Sequence, residues 1–290
     1  MQAKWLIEDF EGDGTLDPLI AEIKNQGMEC DVINYIPFEA GEYNNYKDDD
    51  CVVFYGSLNL AKQLQREKPW IPGPYCNFKN LECLTYYSHW GKYLLNQDYV
   101  MLPLLEFSRK RDYYYDKMGI DGCIFLRPNS GAKTFYGNVY PIEHLDSEIR
   151  TMENYAGLPL DQILIVISSP KIIEKEFRIV VVDGKPVSAS QYKKDNKLDI
   201  KEGCDIEAWE LSQKIGKDLW QPDRAYTLDI CKSNGEYYLL ETNSFSCSGL
   251  YACISPNVST EMNGFESCVE TIVKRISKIA LEEYNSYKDI

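Results

Sequence analysis

The chain has 290 residues, 44% of them hydrophobic and 26% charged, enough for two or three lobes around a sizeable buried core. Its net charge of −14, from 31 basic and 45 acidic residues, argues against a broad nucleic-acid-binding face but leaves room for a small anion held by a few placed Arg and Lys side chains. No apolar run approaches the roughly 20 residues that span a bilayer.

In chain order, "KWLIED" reads as a strand, Leu16 to Asn25 as a helix and "ECDVINY" as a second strand. "CVVFYGS" (51–57) is a strand feeding a helix from Leu58 to Arg66, so the N-terminal part is a small open α/β lobe. Gly12-Asp13-Gly14 faintly resembles a dinucleotide fingerprint, but the third glycine is missing and the loop is acidic; it reads as a helix entry. "KPWIPGPYCNF" is a loop, Tyr86 to Asn96 is helical, and Met101 to Leu104 connects to a new lobe. There, Leu105 to Met118 is helical, "GCIFLRPN" and "NVYPI" are strands, Glu143 to Tyr155 is a helix and "QILIVISS" a strand. "EKEFRIVVVDGKPVSASQY" is a hairpin turning at Asp183-Gly184. Asp205 to Leu219 is helical, "YTLDICKSNGEYYLLETNS" is another hairpin, and Glu261 to Tyr284 is a long terminal helix. The fold class is α+β, with antiparallel hairpins toward the C-terminus.

Ten cysteines without a Cys-x-x-Cys pair and only two histidines argue against zinc. "KWLIEDF" lacks the regions of a signal peptide, so scattered thiols in a reducing cytoplasm, away from any membrane, are expected.

The last hairpin places Asp229 in an apolar strand and ends on Glu241-Thr242-Asn243. A two-residue Asn-Gly turn would set Glu241 beside Leu228 on the apolar face and bury a charge. A three-residue loop, Ser233-Asn234-Gly235, is therefore expected, with Lys232 opposite Glu236 and Asp229 opposite Leu239. In that register Asp229, Glu241 and Asn243 converge. Two carboxylates and a carboxamide make an all-oxygen set suited to Mg²⁺, although a solvated hairpin face is the plainer reading of the hairpin alone. Upstream, "CIFLRPNSGAKTFYG" ends a strand on Arg127-Pro128 and carries Lys133 in a small-residue loop, a phosphate-holding arrangement that is not a Walker A loop. Glu176 and Arg178 share one face of the next hairpin. Ser244 to Tyr251, "SFSCSGLY", is a candidate acceptor or phosphate loop.

The order of "FLRP…GAK", "LIVISS", "EFRIVVVDGK" and "LDI…LLETN" resembles the ATP-grasp superfamily, most closely the clade named for two arginines and one lysine. The resemblance implies an ATP-grasp fold, two α+β lobes around ATP, with an N-terminal α/β lobe: residues 1–99 before the grasp, 100–168 central and 169–290 carrying the metal site. It further implies that backbone of Ile165, Val166, Ile167 and Ser168 touches adenine and that Glu176 takes the ribose hydroxyls. Arg127 and Lys133 would hold phosphates, Arg178 would contact phosphate or a substrate carboxylate, and Asp229, Glu241 and Asn243 would ligate Mg²⁺. The chain departs from the common pattern at Arg127, and at Ser168-Ser169-Pro170 in place of an acidic hinge end. The chemistry implied is ADP-forming ligation of a small-molecule or peptide carboxylate to an amine through an acyl phosphate. A kinase of the same superfamily and a non-catalytic nucleotide-binding module remain the alternatives.

Overall fold

A computed structural model of the chain describes residues 2–9, 14–34, 45–256 and 268–288. The chain divides into two compact units: residues 1–77 with 173–290, and residues 78–172.

In the first unit, strands β1 (Lys4–Glu8), β2 (Cys30–Ile33), β3 (Cys51–Tyr55) and β4 (Ile71–Pro74) form an all-parallel sheet ordered β2-β1-β3-β4. Helices cover it on both sides, which is why its central strands are apolar on both faces. Trp5 and Ile7 of β1 join one core while Leu6 joins the other, against α2 (Leu58–Glu67). Helix α2 starts where Ser57 accepts a hydrogen bond from the Leu60 N–H at 3.2 Å. The expected loop at "KPWIPGPYCNF" contains β4, which the prolines conceal; an edge strand tolerates them because its outer N–H groups have no ladder partner to lose.

The same unit carries a five-stranded antiparallel sheet built from β9 (Lys175–Val182), β10 (Lys185–Lys194), β11 (Lys197–Glu202), β12 (Ala225–Ser233) and β13 (Glu236–Ser244), ordered β11-β10-β9-β12-β13. The hairpin turn falls at Asp183-Gly184 as expected, both at positive φ. Strand β11 is an addition to the expected elements, because "KLDIKE" is too polar to stand out; its side chains are mostly exposed. Helices α1 (Asp17–Asn25) and α8 (Val269–Lys288) share a core with both sheets of this unit, through Trp5, Val180, Phe245 and Ile272 among others. Of the terminal helix expected from Glu261, residues 261–267 lie outside the described residues. So do Gly12 and Asp13 and, from the second expected strand, Tyr35. α7 (Ile206–Gly216) packs on the same five-stranded sheet.

The second unit holds an antiparallel sheet of β5 (Val100–Pro103), β6 (Cys123–Pro128), β7 (Asn138–Pro141) and β8 (Leu164–Ser168), ordered β5-β8-β6-β7. Ile124, Leu126, Ile165 and Ile167 face its core together with Phe107 and Tyr115. The helix expected over 105–118 is two helices, α4 (Leu104–Arg109) and α5 (Arg111–Met118), broken at Lys110 (φ −114°, ψ 23°). α3 (Cys83–Trp90) ends six residues before the expected Asn96, and α6 (Leu145–Ala156) stops at Gly157 in the left-handed conformation. No helix among the described residues is long and apolar enough to cross a membrane. All ten cysteines are free thiols.

One carboxyl in the first unit is set against the fold at neutral pH. Burial raises the Asp223 pKa to about 7, and Glu283 adds to it, against hydrogen bonds from the Arg224 and Asn77 backbone. The folded state therefore holds this proton more tightly than the unfolded chain. The contribution favours folding below the ordinary carboxylate range and is lost as pH rises through about 7. Asp223→Asn is expected to raise the melting temperature near pH 8 and to flatten its decline from about pH 5, read by thermal melts across that window; an unchanged slope contradicts the assignment.

Candidate functional site

The hairpin of β12 and β13 does not form the expected three-residue loop. Ser233 pairs directly with Glu236, leaving Asn234 (φ 51°) and Gly235 (φ 80°) as a two-residue turn. Asn-Gly has a strong local preference for this turn, whose two central residues both need positive φ. The conflict with the apolar pattern is resolved elsewhere. Ile230 pairs with Leu239, yet Asp229 pairs with Glu241, so Leu240 is an extra residue at a β-bulge. Beyond the bulge the side chains change face. Leu239 stays with Ile230 in the interior, and Asp229, Glu241 and Asn243 still come to one side.

That side is a row across three strands. Arg178 on β9 lies directly opposite Asp229, and Asp229 lies opposite Glu241. The Arg178 guanidinium grips Asp229 in a bidentate pair, Nε to Oδ1 at 2.8 Å and Nη2 to Oδ2 at 2.7 Å. Its third nitrogen, Nη1, donates to the Gly249 carbonyl at 2.7 Å. Asn243 Nδ2 donates to Glu241 Oε1 at 3.0 Å and to Asp229 Oδ2 at 3.3 Å. Asp229 is 1% exposed and Arg178 6%, so the pair is taken out of water. Burial disfavours the Arg178 charge, but the Asp229 carboxylate beside it prevails and raises the guanidinium pKa above its ordinary value.

Glu176, two residues before Arg178 and on the same face, accepts hydrogen bonds from the Tyr192 hydroxyl and from Lys193 Nζ at 3.2 Å. Burial, with Asp229 and Glu176 nearby, pushes the Tyr192 phenol well above its usual pKa. The parallel rings of Tyr192 and Tyr251 lie 4.9 Å apart, and the Arg178 guanidinium sits 5.5 and 5.2 Å from their centroids. Neither tyrosine stands out in the sequence: among 22 tyrosines only the alternation of β10, which puts Tyr192 two residues beyond Ser190, the partner of Arg178, would have pointed to one of them. The "SFSCSGLY" segment is tied down by its own serines. Ser246 Oγ donates to the Phe54 carbonyl at 2.6 Å, and Ser248 Oγ to the Ser244 carbonyl at 2.6 Å.

In the second unit Arg127 is paired with Val166 across β6 and β8, which puts it on the sheet face opposite the core residues Ile124 and Leu126. Gly137 packs on it; a Cβ there would meet the Arg127 Cβ at 3.0 Å. Lys133 has φ 49°, an uncommon conformation for a residue with a side chain, in a loop closed by its own N–H to the Ser130 carbonyl at 3.1 Å. Gly131 lets this loop approach residues 78–81, since a Cβ would lie 2.6 Å from the Phe78 carbonyl. Strand β8 is flanked on both edges, by β5 and by β6. Backbone groups of Ile165, Val166 and Ile167 are thus engaged on both edges, while Ser168, the last residue of the strand, pairs with Phe125 of β6 alone. Ser168 Oγ is buried with no hydrogen-bond partner among the described residues, on the face that carries Arg127.

These features fit a nucleotide and a hard metal ion. The orphaned Ser168 hydroxyl is a buried polar group that the protein itself does not satisfy among the described residues, as a group awaiting a ligand polar atom would be. The ligating atoms the Asp229, Glu241 and Asn243 set can offer are all oxygens, in keeping with Mg²⁺, with Asn243 here turning its Nδ2 to the two carboxylates. Among the described residues no group of three or more His, Cys, Asp or Glu side chains is placed to hold a metal. Two carboxylates then suffice only for an ion that takes other ligands from water or phosphate, as Mg²⁺ does.

Solved structures with the same fold include the D-alanine–D-alanine ligase of Bacillus anthracis, 16% identical, covering 99% of this chain and 100% of that one with a TM-score of 0.64. D-cycloserine synthetase DcsG is 11% identical over 96% and 99% of the two chains (TM-score 0.60). The ATP-grasp ligase PsnB, solved with a minimal precursor, is 12% identical over 97% and 99% (TM-score 0.52). Comparison with curated protein sequences gives no significant match. An ATP-grasp domain family, the second of the clade named for two arginines and one lysine, matches residues 111–260, just over half the chain and the span that contains Arg127, Lys133, Arg178, Asp229, Glu241 and Asn243. The chain belongs to this two-arginine, one-lysine clade of ATP-grasp domains.

Proposed function

We propose that the protein is an ATP-dependent, ADP-forming ligase that joins a carboxylate to an amine through an acyl phosphate. The observation that carries this reading is the Arg178–Asp229–Glu241–Asn243 row, a buried cation and an oxygen donor set side by side on one sheet face. The structural neighbours described as ligases or a synthetase support the same class of chemistry, and PsnB, solved also with a precursor peptide, supports keeping peptides among the candidate substrates.

ATP and Mg²⁺ supply the phosphoryl group and the charge neutralisation for its transfer. The protein's own part is positioning. Asp229, Glu241 and Asn243 hold the metal, and Arg127 and Lys133 hold phosphate oxygens. Glu176 takes the ribose hydroxyls, and Arg178 fixes Asp229 while presenting its cation to a phosphate or a substrate carboxylate. The adenine contact falls to backbone at the strand exit, at Ser168, with Ile165, Val166 and Ile167 shaping the sheet behind it. No nucleophilic side chain is needed, since electrostatic stabilisation and positioning carry most of such a transfer. We assign residues 1–99, 100–168 and 169–290 as the substrate-facing, central and metal-bearing lobes, and the cytoplasm as the compartment where ten free thiols persist.

A screen of carboxylate and amine pairs for Mg²⁺-dependent ADP release, with mass spectrometry of the products, tests the proposal. A condensed product with loss of water is expected. A phosphorylated substrate that never condenses would identify a kinase, and no ADP from any pair a binding module. Lys133→Ala should lower turnover by about 100-fold or more if it clamps the transferring group.

A further inference from the structure

The first unit encloses a cavity of about 570 Å³, within the usual size range of small-molecule sites. It opens beyond the C-terminal ends of β1 and β3, where open parallel sheets place their ligands. Hydrocarbon from Leu16, Leu58, Ile200, Leu250 and Ile254 makes most of its wall. Among the described residues its charged lining side chains are Glu8 and Asp9, with no lysine or arginine.

Glu8 is 2% exposed. Among the described residues its carboxylate receives one hydrogen bond, from the Ser57 N–H to Oε2 at 2.7 Å. The fold makes room for this carboxylate at a cost. A Cβ on Gly56 would lie 2.5 Å from the Glu8 Cβ, 2.7 Å from Oε2 and 2.8 Å from Phe54 Cζ, so only glycine admits the side chain in its place. The carboxylate also meets the start of α2: it accepts the Ser57 N–H, while the Ser57 hydroxyl takes the Leu60 N–H one turn further on, so one oxygen serves the helix and Oε1 is left for a ligand. A buried carboxylate with one donor is unfavourable until a cation completes it. A metal does not fit walls of hydrocarbon with two carboxylates; an organic ammonium does.

We propose that this cavity binds a substrate through a primary ammonium group at Glu8, with Asp9 adding charge and the apolar wall taking an aliphatic or aromatic side chain. The site adjoins the proposed reaction centre. Gly249 and Tyr251 line the cavity, and Arg178 bonds to the Gly249 carbonyl while holding Asp229. The assignment deepens the ligase reading and rests on it for the use made of the bound molecule.

Calorimetric titration of the full chain without ATP tests it, with L- and D-leucinamide as ammonium probes and N-acetyl-leucinamide as the neutral counterpart. Leucinamide of one hand is expected to bind on the order of tenfold or more tighter than its acetylated form, and Glu8→Gln should lose a similar factor. Ala252→Leu, which fills the cavity from its apolar side, should also weaken leucinamide and guards against a folding defect in Glu8→Gln. Equal binding of free and acetylated amide, unchanged affinity in Glu8→Gln, or no saturable binding by either enantiomer overturns the proposal. Leucinamide binding without ADP release from any pair would overturn the ligase reading and leave the cavity assignment standing; ADP release with no dependence on Glu8 would do the reverse.

Discussion

Glu241→Gln is expected to abolish Mg²⁺-dependent ADP release while the protein melts within a few degrees of wild type. Glu241 is only half-buried, and its bond from Asn243 can be kept by a glutamine oxygen, so the neutral amide costs the fold little. What it removes is one of the two carboxylates we propose as metal ligands. Asp229→Ala should also abolish ADP release, but for a mixed reason. It strips Arg178 of both bonds of a buried pair and leaves a guanidinium 6% exposed without its counter-charge. Breaking such a pair from one side typically costs about 3–5 kcal/mol. The melting temperature should therefore fall by roughly 6–20 °C, at about 2–4 °C per kcal/mol for a chain of this size class. Activity and stability thus separate at Glu241 and coincide at Asp229. Wild-type turnover in Glu241→Gln removes it from the metal set.

Gly216→Ala is expected to destabilise the protein as strongly without touching the site. A Cβ on Gly216 would lie 2.0 Å from the Gly184 carbonyl oxygen, and one on Gly184 would lie 2.3 Å from the Gly216 carbonyl. The end of α7 and the turn of the β9–β10 hairpin therefore meet backbone to backbone. Neither can retreat easily. The Asp183 N–H bonds the Arg224 carbonyl at 2.8 Å, and the Arg224 guanidinium bonds the Asp183 carboxylate at 2.7 Å through Nε. Overpacking a rigid contact costs about 1–3 kcal/mol, and a backbone clash belongs at or above the top of that range. Because β9 carries Glu176 and Arg178, activity should fall with the fold. A thermal melt superimposable on wild type would show that the helix end yields after all.

Much of the architecture is legible in the sequence because burial leaves a periodic trace. The apolar run Ile179 to Val182 marks a fully covered strand, and the Asp183-Gly184 turn follows from its two positive-φ positions. Elements with weak burial signals are not legible: β11 is exposed and polar, and β4 hides behind its prolines. The gathering of Asp229, Glu241 and Asn243 is expected from the apolar pattern, yet it comes about by another route. In a regular ladder only a longer loop could reconcile leucines with carboxylates. The chain instead satisfies the turn locally and repairs the pattern with Leu240. Tyr192, Tyr251 and Glu8 are silent in the sequence because their significance depends on neighbours distant along the chain: Arg178 for the tyrosines and Ser57 for the glutamate.

That bulge gives one strand two reading frames. Counted from the tip, Glu236 to Leu239 alternate in step with Ser233 to Ile230; counted from the other end, Ser244 to Glu241 alternate in step with Tyr226 to Asp229. Leu240 is the frameshift between them. A parity rule applied from the turn therefore assigns Glu241 and Asn243 to the wrong side of the sheet, and the same rule applied from Ser244 assigns them correctly. The chemistry of this hairpin is written in the frame that the turn does not set.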